Sequence, residues 1–189
     1  MNKNIHEILY TVIFSKNWIN TPVSYIQIKD LYSIDKKYLY KLNDKIIKKY
    51  KHVTKLHTGY NSKITNINHL TKLKVLCAHG ISGLAGDGII ILNDLEIFNA
   101  SGNPKITNIN NLTKLKVLNA YGSCGITDEG IINLKKIEIL DASCNCQITN
   151  INHMTKIKEL QARGICGINN EGIINLTNLE KMMRGVILE

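Results

Sequence analysis

A fixed period of 42 residues constrains this chain more than any other feature. Ile64-Thr65-Asn66-Ile67 returns as Ile106-Thr107-Asn108-Ile109 and again as Ile148-Thr149-Asn150-Ile151. A period of this order marks a repeat architecture, in which stacked units bury a core that no unit could bury alone. The period divides in two. Segments 53–58, 73–78, 95–100, 115–120, 137–142, 157–162 and 179–184 begin alternately 20 and 22 residues apart. Each follows L-x-x-L-x-A or a near variant. The last two apolar positions are two residues apart, which is strand periodicity. Leu76, Phe98, Leu118 and Leu140 are expected to stack in one interior column, and the residues between them to face out.

Alternate units add Asn61, Asn103 and Asn145 three residues after the small residue. With these, the pattern resembles the leucine-rich repeat, L-x-x-L-x-L-x-x-N/C-x-L, over residues 53–189. The resemblance implies an α/β solenoid: a parallel concave β-sheet, alternating short helices and turns on the convex side, and a helical N-terminal cap. Residues 51–189 would form the repeat domain of about seven units. Residues 1–50 would be a basic helical cap or a degenerate F-box-like segment. The three asparagines are assigned a structural role, pairing buried backbone groups at each strand-to-turn corner. Ile81, Ser123 and Ile165 take that position in the intervening units.

The return segments are of two kinds. The longer reads I-T-D-E-G-I-I-N-L at 126–134, repeats with two changes at 168–176 and is degenerate at 84–92. Thr127 or Asp128 is placed to cap a short helix burying Ile131 and Leu134. This wording resembles the cysteine-containing repeats common in F-box proteins. The shorter return, 106–112, has room only for a turn held by asparagine side chains.

Near the N-terminus Ile5, Ile8, Leu9, Val12 and Ile13 follow helical spacing. Tyr25-Ile26-Gln27-Ile28 reads as an irregular first strand. Leu39, Leu42, Ile46 and Tyr50 form the stripe of a second helix, otherwise covered by lysines. His6-Glu7-Ile8-Leu9 and Phe14-Ser15-Lys16-Asn17-Trp18 resemble the two ends of an F-box, with His6 in place of the family's proline. A working F-box would imply a substrate-recognition subunit of a ubiquitin ligase that docks on a ligase adaptor.

Of the net charge of +9, residues 1–58 carry +7 and residues 59–189 carry +2. A basic block of this kind suggests, as an alternative function, nucleic-acid binding through a 36–51 helix. The five cysteines, Cys77, Cys124, Cys144, Cys146 and Cys166, are odd in number and accompany a real core. Both facts favour a reducing compartment over a disulfide framework, so a cytoplasmic location is expected, in the host cell if the source is viral. No apolar run is long enough to cross a membrane. Cys124, Cys146 and Cys166 share one repeat position and could gather thiols, yet C-N-C is not a zinc spacing, and these residues read as core filler. His69 and His153 recur on the return side as surface residues. No catalytic, phosphate-binding or metalloprotease motif is found. The expectation is therefore no catalytic residue, no metal and no cofactor.

The outward strand positions make three columns. Val75, Ile97, Val117 and Ile139 form an aliphatic stripe, with Asn99, Asn119, Asp141 and Gln161 beside it, then Tyr121 and Arg163. An apolar centre with a polar rim is the pattern of a protein-binding face. The sequence thus points to a non-enzymatic scaffold that binds a protein partner of unknown identity on its concave face, with Tyr121 and Arg163 as anchors.

Overall fold

Leu56, Leu76, Phe98, Leu118, Leu140, Leu160 and Met182 occupy equivalent places on seven successive strands, each the register partner of the next. Leu76, Phe98, Leu118 and Leu140 are at most 1% exposed. The expected interior column is present. The computed structural model describes residues 30–31 and 42–184. Its strands are β1 (Asp30–Leu31), β2 (Lys55–His57), β3 (Val75–Cys77), β4 (Ile97–Asn99), β5 (Val117–Asn119), β6 (Ile139–Asp141), β7 (Glu159–Ala162) and β8 (Lys181–Arg184). All eight form a single parallel sheet in sequence order. Seven steps of about 4.8 Å make it roughly 34 Å across.

Behind the sheet, Ala78, Ala100, Ala120 and Ala142 are buried where the chain leaves each strand. Their small side chains let the corner close against its neighbour. Ile64, Ile106 and Ile148 seal the far side of the core together with Ile67, Ile109 and Ile151. Burial of each such side chain is worth about 1.5–3 kcal/mol, and this rather than three-residue strands holds the coil together.

The convex side differs from the expected alternation of helices. The long returns contain only 3₁₀ turns, Gly86–Ile89 and Glu171–Ile173, and the copy at 126–134 is a run of turns. Two causes are visible. A helix about 10 Å wide does not fit behind rungs about 4.8 Å apart without bending the sheet. The chains also approach too closely: a Cβ on Gly130 would lie 2.0 Å from the Thr107 carbonyl oxygen, and one on Gly172 2.0 Å from that of Thr149. Asp128 accordingly does not cap its own segment. Its carboxylate accepts from Thr149 N (2.8 Å), Thr149 Oγ1 (2.6 Å) and Asn150 N (3.2 Å) of the next unit.

Asp44 repeats that clamp on Thr65 and Asn66. Residues before the aligned units thus already adopt the repeat's own geometry. β1 pairs in parallel with β2, and Leu42, Ile47 and Tyr50 join the common core. The long basic helix expected to end near Tyr50 is one turn over the described residues: α1, Asp44–Ile47, with Asn43 Oδ1 accepting from Ile46 N at 3.0 Å. The expected helix at 5–13, the strand at 25–28 and both F-box-like pieces lie outside the described residues.

The short returns are held by asparagines, as anticipated. Asn66, Asn108 and Asn150 accept from the N–H two residues on. Asn68, Asn110 and Asn152 reach across to the next long return, donating to the carbonyls of Asp87, Glu129 and Glu171 at 2.7 Å. Just before β3 to β8, Lys74, Glu96, Lys116, Glu138, Lys158 and Glu180 follow one another along the sheet, joined by backbone hydrogen bonds. Glu96 Oε1 meets Lys74 Nζ at 2.6 Å and its Oε2 meets Lys116 Nζ at 3.0 Å.

Candidate interaction face

Strand alternation puts Val75, Ile97, Val117 and Ile139 on the outer face of the sheet as mutual register partners. Ile97 is 42% exposed and Ile139 36%, whereas Val75 and Val117 are half-buried. The column continues into Glu159 and Lys181, which pair at 3.6 Å. It is thus an aliphatic stripe bounded by charge at its C-terminal end.

The neighbouring column contains Cys77, Asn99, Asn119, Asp141 and Gln161 in register. These residues are less free than sequence reasoning suggested. Asn99, Asn119 and Asp141 each accept, through Oδ1, the backbone N–H two residues on at 3.0 Å. They fasten the corner where the strand ends. The chain then enters the left-handed region: Gly80, Gly102, Gly122 and Gly164 have φ of 62–71° there, while Tyr60 and Cys144 take the same turn at 58° and 57° with side chains.

The third column begins on these corners. Tyr121 is exposed, and its phenol is pushed up by a hydrogen bond and charge from Cys144. Arg163 is exposed, with its Nη2 2.7 Å from Met183 Sδ, and its backbone N–H donates to Ser143 Oγ at 3.1 Å. All ten candidate residues, from Val75 to Arg163, thus lie on one continuous face.

Asn61, Asn103 and Asn145 are buried behind that face. Asn103 Nδ2 donates to the carbonyls of Ala78 (2.9 Å) and Leu84 (3.2 Å), and its Oδ1 accepts from Lys105 N (3.1 Å). Asn145 makes the matching set with Ala120, Ile126 and Gln147, and Asn61 bonds Leu42 and Lys63. Each ties its own corner to the preceding unit.

The three stacked cysteines do not share an environment. Cys124 is buried, and desolvation pushes its thiol up to about 11. Cys146 is exposed and Cys166 half-buried. His69 and His153 place Nε2 3.0 Å from the carbonyls of Ile47 and Ile131 in the preceding unit. Desolvation lowers His153, against the pull of that carbonyl, which favours a neutral ring in a structural bond. Sequence reasoning missed a different cluster: His57, Cys77 and His79 bring their donor atoms within 4.8 Å of one another at the N-terminal end of the face. Alternation and register alone place them together, but the three letters lie in two units and form no contiguous motif.

Among solved structures the chain is similar to an internalin, inlF, from Listeria monocytogenes, with a TM-score of 0.62 and 19% identity over 96% of this chain and 62% of that one. It is also similar to the functional domain of InlJ from the same organism, which includes a cysteine ladder, with a TM-score of 0.52 and 20% identity over 72% of this chain and 31% of that one. The fold is that of a leucine-rich-repeat solenoid. The chain spans less than two thirds of the length of either of these proteins. No protein-family model and no curated protein sequence matches it.

Proposed function

We propose that the chain is a non-enzymatic scaffold that binds a protein partner across its concave face. The carrying observation is the unbroken aliphatic column Val75–Ile97–Val117–Ile139 on the outer face of the sheet, with its isoleucines exposed, Asn99, Asn119 and Asp141 beside it in register, and exposed Tyr121 and Arg163 beyond the strand ends. Solenoids of this type offer extended concave surfaces for such contacts, and an apolar centre with an aromatic and an arginine at its rim suits a protein rather than a small ligand. Because Asn99, Asn119 and Asp141 are occupied with their own corners, Ile97, Ile139, Tyr121 and Arg163 supply most of the affinity.

The test compares affinity purifications of the full chain with those of Ile97→Glu/Ile139→Glu and of Tyr121→Ala. A partner retained by the parent should be lost from both variants while their melting temperatures stay within a few degrees. The same partner recovered undiminished from both would overturn the reading. Nucleic-acid binding has weaker support, since the described part of the basic segment is one helical turn with Lys45, Lys48, Lys49 and Lys51 at its surface.

A further inference from the structure

At the N-terminal end of the concave sheet three metal-ligating side chains converge. His57 ends β2 and Cys77 ends β3, and the two are direct register partners. His79 lies two residues beyond Cys77, so the strand's alternation carries it to the same side. The donor atoms lie within 4.8 Å of one another, with Cys77 Sγ 3.1 Å from His79 Nδ1. Donors on a tetrahedral zinc ion, bound at about 2.0–2.3 Å, are separated by about 3.3–3.8 Å. The arrangement needs a contraction of about an ångström at its widest, within reach of ring rotation.

We propose that His57, Cys77 and His79 are a binding site for a borderline-soft divalent cation, zinc in the first place. One thiolate and two imidazoles are the donor set that favours this class over calcium or magnesium, which demand oxygen.

Residue 59 provides an independent argument. A Cβ there would lie 2.2 Å from His79 Nδ1 and Cε1 and 2.9 Å from His57 Cε1. Among the described units the equivalent position otherwise holds His79, Ser101, Tyr121, Ser143 or Arg163, so within them glycine at 59 alone opens space for two rings. Local contacts also gather the rings at this spot. Gly59 N–H donates to His57 Nδ1 at 3.2 Å, the two imidazoles meet edge to face at 5.2 Å, and Tyr60 packs against His79 at 4.8 Å. Strand ends in a hydrogen-bonded sheet give such ligands the rigidity a metal site requires. On binding, the Cys77 thiol proton leaves to solvent as the sulfur–metal bond forms, and each imidazole gives a lone pair. For His57 this means giving up the Gly59 N–H bond, because Nδ1 either binds the metal itself or takes up the ring proton when Nε2 binds it. Three protein ligands leave a fourth position open toward the concave face, for water or a partner's side chain. The site does not depend on the partner-binding reading.

The test is titration of the full chain with Zn²⁺ by calorimetry in a non-thiol reductant, and with Co²⁺ by absorption. One equivalent should bind, and Co²⁺ should show a thiolate charge-transfer band with tetrahedral visible bands. Cys77→Ser, His57→Gln and His79→Gln should each weaken Zn²⁺ by roughly 100-fold or more, as expected for the loss of a ligand. Gly59→Ala should weaken it as well, and Cys146→Ser should leave it intact. Cys77 is buried, so melting of each metal-free variant is followed in parallel, and His79→Gln, at a half-buried position, probes the site should Cys77→Ser misfold. Absence of a stoichiometric site in the parent, or binding that survives a folded Cys77→Ser or His79→Gln, would overturn the proposal.

Discussion

Glu96 shows how much one side chain can be made to do by its place in a ladder. Hydrogen bonds and charge from Lys74 and Lys116 hold its carboxyl well below the usual 4.5, at about 2. A carboxyl whose pKa is depressed on folding stabilises the native state above its unfolded value, and that contribution is lost as the pH falls toward the folded one. Glu96→Gln should therefore melt below the parent at pH 7, and the difference should close between about pH 4.5 and 2. The group is largely solvated, so the effect is small and should shrink in high salt. A gap that persists at pH 2 would assign the loss to packing instead. At this scale some features were legible and others were not. Asn103 stood out because its ladder position is a recurring pattern. The left-handed turn at Cys144 was hidden because the marker for it, glycine, is missing there.

The interlocking of neighbouring returns is the work of whole elements. Asp44 and Asp128 lie 84 residues apart and clamp the following short return with the same three hydrogen bonds. Midway between them stands Gly86, facing Thr107 and Asn108 without a carboxylate. A Cβ there meets only the Asn108 carbonyl oxygen, at 3.3 Å, a contact a slight shift relieves. Gly86→Asp should complete the series and raise stability by about 1 kcal/mol in urea denaturation, about the value of a net set of charge-assisted bonds at an exposed site. Asp128→Ala should cost a similar amount. A neutral Gly86→Asp would mean that the backbone at 86 cannot present a side chain to Thr107. The strands and the short returns could be read from the sequence because alternation and asparagine turns are local. The helices expected on the convex side could not, because what forbids them is the distance to the preceding rung, which no window within one unit contains.

The whole molecule is a one-dimensional stack, and its stability is distributed accordingly. Ile109 is fully buried, and its N–H bonds the Gly130 carbonyl at 2.9 Å, so it touches both its own unit and the next. Ile109→Asp would bury an unpaired charge and should cost more than about 3 kcal/mol. Hydrogen exchange should show protection lost first around residues 95–140, with the flanking units holding longer, since each contacts only its neighbours. Uniform loss across the chain would indicate a single cooperative block. The outward columns that follow from this stacking were legible in the sequence, because alternation and a fixed period define them; the closeness of the donor atoms of His57, Cys77 and His79 was not, because the three lie in two units and form no contiguous motif.

The lysines and glutamates that precede the strands, from Lys74 to Glu180, alternate in sign at every step. The buried asparagines, and the glycines that press on threonine carbonyls, recur at every second step. Excising or inserting a single rung would therefore set lysine against lysine or glutamate against glutamate, and bring two corners of the same kind together. Removing or adding two leaves every neighbour as it was. The true building block of this coil is a doublet, and a natural or engineered change in its length is accommodated only in even numbers of rungs.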